Sequence, residues 1–487
     1  MKSNAQNSKV IKVLFVSTEV APFSKVGGLG DVVGALPKSL LKYGIDVRIV
    51  TPAWPGVMQR LRDAGHKIST FSQRVSVSYA WHSVEAIVHR VDLEGVPVYL
   101  LESDEYMGSM YPWDLNAATA RPFAVFCMQV LELKKVVGWT SDIFHCHDWT
   151  SAFLPCALAW HRRYHDPNAK SVLTLHNVAH QGMFPPAAFL DESGLDPSCF
   201  NMWALEYYGQ VNLLKGAIIS ASAVTTVSPR YAWEVQTFES TQALSKVINA
   251  NKDKLTGILN GIDTDYWNPE TDPLIPECYS SDSLFGKAEC RRELLKNTGF
   301  DPAYKGPLVV CVSRLVEQKG FDIILPALKQ LDSLDAKFIF LGSGQRWIEE
   351  ALRGAASAHV DSVCFFPGYN EPLSHLLYAG GDIYLMPSLF EPCGLSQMIA
   401  MRYGTVPVAR EVGGLMDTVI DADCDGGGNG FTFITYDTQG MLWSLRRAIE
   451  RFSNVKAWGK IRQRGMLEDF SWSHPAALYR DLYKSIL

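Results

Sequence analysis

The stretch Val13-Leu-Phe-Val-Ser-Thr18, with Lys25-Val-Gly-Gly-Leu-Gly-Asp31 after it and a helix-like segment over 32–43, decides how the chain is read. An apolar run, a glycine-rich turn and a helix start together make an anion-accepting arrangement. Small residues let the backbone approach a ligand, and the N–H groups and dipole of the helix start favour negative charge. Lys25 adds a mobile cation at the mouth, beside Gly27 and Gly28. The same turn also reads as a plain tight connection between strand and helix. A dinucleotide-binding reading needs an acidic residue closing the next strand and G-x-G-x-x-G spacing. That strand, Val47-Arg-Ile-Val-Thr-Pro52, ends in Thr-Pro, and the glycines read GGLG. A nicotinamide dehydrogenase is disfavoured, and a phosphorylated ligand of another kind is expected.

Outward from this loop, short apolar runs alternate with helix-length segments. Strands are expected over 12–18, 47–52, 96–102, 143–148, 172–177 and 224–228, then over 308–313, 338–342, 363–368, 383–387 and 406–409. Such runs read as parallel strands covered on both faces, which implies doubly wound α/β sheets. The stretch 267–306 breaks the rhythm with Asn-Pro, Asp-Pro and Ile-Pro steps and a Tyr-Ser-Ser-Asp-Ser run. The expected division is therefore a Rossmann-like first domain over 1–268, a linker over 269–306, a second Rossmann-like domain over 307–465, and a closing helix over 466–487. A chain of 487 residues suits at least two cores. The two halves are expected to face each other across a cleft, with ligands at the carboxyl ends of strands.

Composition narrows the partners. With 45 basic and 51 acidic residues mixed along the chain, the net charge is −6, which argues against nucleic acid. Ten cysteines lack CxxC pairing; Cys127, Cys146, Cys311 and Cys364 lie in or beside apolar runs, as reduced thiols of a cytoplasmic protein do. No segment is long and apolar enough for a membrane span, and the polar 1–9 stretch precedes too short an apolar run for a signal peptide.

The strand ends carry the polar clusters. Phe144-His-Cys-His-Asp148 and Leu173-Thr-Leu-His-Asn177 bring three imidazoles and a carboxylate to the first half. A metal reading of His145, His147 and Asp148 is disfavoured, because alternate side chains on one strand rarely enclose an ion without further ligands. His145 reads better as a satisfied core histidine, and Asp148 and His176 as partners of sugar hydroxyls. In the second half, Val312-Ser-Arg-Leu-Val-Glu-Gln-Lys-Gly320 places Arg314 and Lys319 where a tight turn lets both meet one diphosphate. The alternative is a solvated surface pair. Met386-Pro-Ser-Leu-Phe-Glu-Pro-Cys-Gly-Leu395 exposes Glu391 on a strand-to-helix loop, and Val412-Gly-Gly-Leu-Met-Asp-Thr418 repeats paired glycines before a helix. Gly394, Gly413 and Gly414 are expected to offer N–H groups to phosphate oxygens. Asp263-Thr-Asp265 and Asp421-Ala-Asp-Cys-Asp425 look like metal-binding DxD signatures but read as solvated turns. No metal or cofactor is expected.

These motifs, in order, resemble those of bacterial glycogen synthases and plant starch synthases. The matching segments are Lys25–Asp31, His145-Cys-His-Asp-Trp149, His176-Asn-Val-Ala-His-Gln-Gly182, Leu255-Thr-Gly-Ile-Leu-Asn-Gly-Ile-Asp263 and Ser313-Arg-Leu-Val-Glu-Gln-Lys-Gly320. Phe390-Glu-Pro-Cys-Gly-Leu395, Gly413-Gly-Leu-Met-Asp-Thr-Val419 and Phe470-Ser-Trp472 complete the set. The resemblance implies a retaining glucosyltransferase of the two-Rossmann-domain (GT-B) type, moving glucose from ADP-glucose or UDP-glucose to the non-reducing end of an α-1,4-glucan. It implies that Arg314 and Lys319 bind the donor diphosphate and that Glu391 holds the donor glucose. His176 would contact the same sugar, and Asp148 and Asn260 would position the acceptor. Asn177, Gln181, Cys393, Leu395 and Thr418 fall in the same motifs as binding positions, Gly368 and Tyr369 would border the base, and Lys25 would join the phosphate site. Closure of the two halves is implied as well.

Departures from the family pattern lie in the first half. Thr150 and His180 stand where histidine and tyrosine are usual, Ser240-Thr-Gln-Ala-Leu244 stands for Gly-x-Gly-Leu, and an aspartate–asparagine pair is blurred over 116–123. Two other readings remain: a GT-B transferase using the same donor with a small sugar acceptor, and a non-catalytic glucan-binding protein.

Overall fold

The computed structural model describes residues 10–106, 108, 115–237, 243–328, 330 and 334–487. Two compact units emerge, Met1–Gly261 with Trp472–Leu487, and Ile262–Ser471.

Among the described residues the first unit has twelve strands: β1 (Lys12–Val16), β2 (Asp46–Pro52), β3 (Ser69–Tyr79), β4 (His82–Leu93), β5 (Val96–Glu102), β6 (Ile143–His147), β7 (Lys170–Leu175), β8 (Met183–Phe184), β9 (Glu206–Tyr207), β10 (Gln210–Asn212), β11 (Ala223–Thr226) and β12 (Leu255–Gly257). Nine of them form one sheet in the order β12-β11-β7-β6-β1-β2-β5-β4-β3. From β12 to β5 neighbours run parallel, and their runs are apolar almost without alternation because helices cover both faces. β3 and β4 were not among the expected strands. They form an antiparallel hairpin at the sheet edge, where Ser69–Tyr79 alternates buried and exposed positions only over its last residues. The three short strands β8–β10 pair separately.

The second unit is a six-stranded parallel sheet of β13 (Leu308–Val312), β14 (Lys337–Gly342), β15 (Val363–Pro367), β16 (Ile383–Met386), β17 (Val406–Arg410) and β18 (Phe431–Phe433), ordered β15-β14-β13-β16-β17-β18. Its core packs Phe338, Phe340, Ile383, Leu385 and Val408 of the sheet against Phe321, Ile348, Leu445 and Trp458 of the covering helices.

The division between units differs from the expected 268/269 boundary for a physical reason. Residues 262–268 are tied to the second unit: Arg402 donates to Trp267 O at 2.7 Å and to Thr264 O at 3.2 Å, and Trp267 stacks on His375 with centroids 4.2 Å apart. At the other end the return begins at Trp472 rather than at 466, since Val455–Leu467 is a helix of the second unit. The closing helix Ser473–Ile486 packs on Gly28–Lys42 and buries Tyr479 and Tyr483 completely.

Candidate active site

In the first unit the expected residues gather at the carboxyl ends of β1, β6 and β7. The glycine loop is held from below by a residue the motif reading missed. Glu19, 1% exposed, accepts the N–H groups of Val26 at 2.6 Å and Gly27 at 3.0 Å through Oε2. The loop amides expected to face an anion are thus partly engaged by the chain's own carboxylate. Lys25 Nζ lies 2.7 Å from Asp31 Oδ1, with both side chains a third or more exposed, and Gly28 opens the helix Gly28–Lys42.

Asp148 follows β6 with φ +54°, an unusual setting for a non-glycine residue. Its Oδ1 accepts the N–H of His176 at 2.7 Å and of Asn177 at 3.3 Å, which joins the ends of β6 and β7. Burial pushes its carboxyl up to about 7, against the opposing pull of those two N–H bonds. Behind it stand three imidazoles. His145 is fully buried between Tyr483 OH at 2.7 Å and Thr174 Oγ1 at 2.6 Å, as expected of a satisfied core histidine. It stacks on His147 with ring centroids 4.4 Å apart, and His147 Nδ1 lies 3.0 Å from His176 Nε2. Burial lowers all three ring values, to about 3 for His145 and His176, so each ring is neutral near pH 7.

Around this core, Asn177 Oδ1 accepts the N–H of Ala179 at 3.0 Å, and Gln181 Oε1 accepts from Asn212 Nδ2 at 2.7 Å. Asn260, 5% exposed, leaves its Oδ1 without a hydrogen-bond partner among the described residues. Of the departures, Thr150 is buried and accepts from the Thr18 hydroxyl at 2.9 Å, His180 is exposed, and Asn116 caps the helix Ala117–Glu132 through a capping box. Ser240, Thr241 and Gln242 lie outside the described residues.

In the second unit the expected residues occupy loops that leave the carboxyl ends of β13, β15, β16 and β17. Arg314 is exposed, and among the described residues it makes no ion pair. Lys319 is part-buried with Nζ 2.5 Å from Glu391 Oε2, where Ser388 Oγ also donates at 3.1 Å. Glu391 is 6% exposed, and among the described residues no hydrogen bond falls on its Oε1. A carboxylate is thereby oriented by a cation and a hydroxyl on one oxygen, with the other available. Two glycines permit this approach. Gly320 has φ +81°, and a Cβ there would collide with Pro387 O; Gly413 has φ +44°, and a Cβ there would collide with Glu391 O.

Gly414 corrects an expectation. Its N–H donates to Glu391 O at 3.1 Å and Pro392 O at 3.2 Å, so it serves close loop packing rather than as an open donor. Thr418, 4% exposed, donates to Gly414 O at 2.7 Å and accepts from Gln397 Nε2 at 3.0 Å; that amide also donates to Cys393 O and Gly394 O. Leu395 precedes the helix Ser396–Arg402. Gly368 turns with φ +95°, and Tyr369 beyond it is 69% exposed.

The DxD-like segments are engaged elsewhere. Asp421 and Asp423 pair with Arg447 at 2.5 and 2.6 Å, and Asp263 Oδ1 accepts the N–H groups of Asp265 and Tyr266. All ten cysteines are free thiols. Among the described residues no helix is long and apolar enough to cross a membrane.

Sequence reasoning missed Glu19, Ser388, Gln397 and Tyr483 as parts of this arrangement. Glu19 alone left a signal, a charge just beyond the apolar run over 13–16.

A family model described as the starch synthase catalytic domain matches residues 12–250, and one described as glycosyl transferases group 1 matches 299–463. A glycogen synthase of Geotalea daltonii is 42% identical over 98% of this chain and 99% of its own length, and one of Bacillus cereus is 38% identical over 98% and 100%. The catalytic domain of starch synthase IV from Arabidopsis thaliana, solved bound to ADP and acarbose, superposes with a TM-score of 0.91 at 36% identity, covering 98% of this chain and 99% of that one. Sucrose-phosphate synthase from Thermosynechococcus elongatus, at 17% identity and a TM-score of 0.62, shares the fold. Two Rossmann-like α/β units of this kind, matched end to end, make the chain a glycosyltransferase of GT-B fold that belongs to the glycogen and starch synthase family.

Proposed function

We propose that the chain transfers glucose from ADP-glucose to the non-reducing 4-hydroxyl of an α-1,4-glucan, with retention at the anomeric carbon. The observation that carries this reading is the Lys319–Glu391–Ser388 cluster, on loops at the carboxyl ends of β13 and β16, with exposed Arg314 on the same loop as Lys319. A departing nucleoside diphosphate gathers negative charge in the transition state, and fixed cations lower that barrier directly. Arg314 and Lys319 take this role. Glu391 holds the donor glucose hydroxyls and offsets positive character at the anomeric carbon, and His176 contacts the same sugar. Asp148 and Asn260 orient the acceptor; the unpartnered Oδ1 of Asn260 suits a hydroxyl donor. Lys25, Gly27 and Gly28 contribute to the phosphate site, Gly368 and Tyr369 to the base site, and Asn177, Gln181, Cys393, Gly394, Leu395, Gly413, Gly414 and Thr418 shape the binding loops.

The choice of ADP over UDP rests on the starch synthase IV structure, a relative that was solved with ADP. The free thiols suit a cytoplasmic enzyme.

Purified protein given radiolabelled ADP-glucose or UDP-glucose, each with glycogen and with free small sugars, tests the proposal. Label should enter polymer from ADP-glucose, and Glu391→Ala should lower turnover by about 10²–10³-fold while the far-ultraviolet spectrum is unchanged. Label entering only small sugars would favour the small-acceptor reading. No incorporation from either donor, with glycogen still bound, would leave a glucan-binding protein.

A further inference from the structure

The three buried imidazoles carry more information than packing requires. His147 Nδ1 and His176 Nε2 are 3.0 Å apart, and a contact of this kind between neutral rings holds one proton. Either His147 donates from Nδ1, or His176 donates from Nε2. The two cases differ in what they leave elsewhere. His147 is fully buried, and its Nε2 has no hydrogen-bond partner among the described residues. If His176 were the donor, the His147 proton would sit on that Nε2 as an orphaned N–H, which is the rarer kind of buried unsatisfied group. If His147 is the donor, its Nε2 is a bare lone pair and the proton of His176 moves to Nδ1.

We propose that His147 is a positioning residue: its Nδ1–H donates to His176 Nε2, which fixes His176 as the Nδ1–H tautomer and turns that N–H into a donor for a hydroxyl of the transferred sugar. The last clause rests on the proposed role of His176. The pair is held from behind, since His147 stacks on His145, and His145 is itself bonded to Thr174 and Tyr483. Ring order is set before any ligand binds, as a preorganised donor requires.

Nitrogen-15 labelling of the histidine rings in the ligand-free enzyme reads the tautomer directly, with signals assigned by loss in His147 and His176 variants. His176 should show a protonated Nδ1 and an unprotonated Nε2. In His147→Asn the side-chain amide can still donate, so the tautomer should persist and KM for the donor stay within about threefold. In His147→Leu no donor remains: the His176 proton should redistribute to Nε2, and kcat/KM for ADP-glucose should fall by about tenfold, one lost hydrogen bond. A merely structural residue would lower the melting temperature without changing the tautomer. A wild-type His176 protonated on Nε2, or a tautomer unmoved by His147→Leu, would overturn the proposal. Because the tautomer is read without substrate, this failure is separate from failure of the glucan synthase reading, which the incorporation assay decides.

Discussion

Asp148 combines two costs in one residue, a left-handed backbone and a buried carboxyl. Asparagine is the residue that best tolerates such a φ after glycine, and its amide oxygen can accept the same two N–H bonds from His176 and Asn177. The carboxyl value of about 7 lies above the usual carboxylate value of about 3.9, with burial as the main cause. Between those values the folded chain keeps its proton while the unfolded chain has lost it. Stability therefore falls as pH rises through this window, and the full penalty stands above it. Asp148→Asn should melt higher than the parent at about pH 8, with the gap narrowing toward about pH 4. Calorimetry across that range checks this; parallel curves for the two proteins would reject it. The variant should still lose activity if the carboxylate orients the acceptor, so stability and function separate at a single atom.

At the scale of elements, buried Lys287 does what a loop carboxylate cannot. It lies in the helix Phe285–Thr298, and its Nζ donates to Ala379 O, Tyr403 O and Thr405 Oγ1 at 2.9–3.0 Å. The two carbonyls belong to the ends of the helices Glu371–Gly380 and Ser396–Arg402, where a cation also meets the favourable end of each dipole. Three acceptors favour the ammonium form, which alone offers three donors, but burial outweighs them and pulls the amine down to about 7. Below that value the charged amine is present in both states and the burial penalty is complete. As pH rises from about 7 toward 10.4 the folded chain sheds the proton first, so stability rises across that interval. Lys287→Met should cost about 3 kcal/mol by leaving the acceptors unpaired, and should remove the rise. Urea titrations at several pH values measure both effects, and an unchanged midpoint would show that the lysine is dispensable.

Elements of this kind also mark where the sequence could be read and where it could not. Most of the parallel strands were visible because burial on both faces leaves unbroken apolar runs such as residues 13–16 and Leu308–Val312, whereas the three-residue β12 and β18 are too short to show one and were not among the expected strands. The β3–β4 hairpin was not, since Ser69–Tyr79 exposes most of its residues and turns through Ala80 and Trp81 without glycine or proline. The candidate site was legible wherever a polar cluster ended a strand, as at Asp148, Arg314 and Glu391. What stayed hidden were partners chosen by the tertiary fold. Tyr483 reaches His145 across 338 positions, and no local pattern encodes that pairing.

For the whole molecule the consequential feature is the return of the chain. Residues 262–471 form the second unit, and only the last segment comes back to the first. Ile262 N–H donates to Phe470 O at 2.8 Å, so the entering and returning segments meet at the edge of the second unit. The returning helix then supplies two fully buried tyrosines, one of them bonded to His145. Deleting residues 472–487 should therefore act on the distant end of the sequence. Losing two buried aromatic side chains costs roughly 6 kcal/mol or more, which for a unit of this size is on the order of 10–20 °C. The core of the second unit draws on none of these residues, so its transition should hold its temperature. Tyr483→Phe removes only the hydroxyl contact and should cost about 1 kcal/mol, a shift of a few degrees confined to the first unit. Scanning calorimetry that resolves two transitions decides the matter: if the deletion moves both equally or neither, the closing helix is not part of the fold that holds His145, His147 and His176 in line.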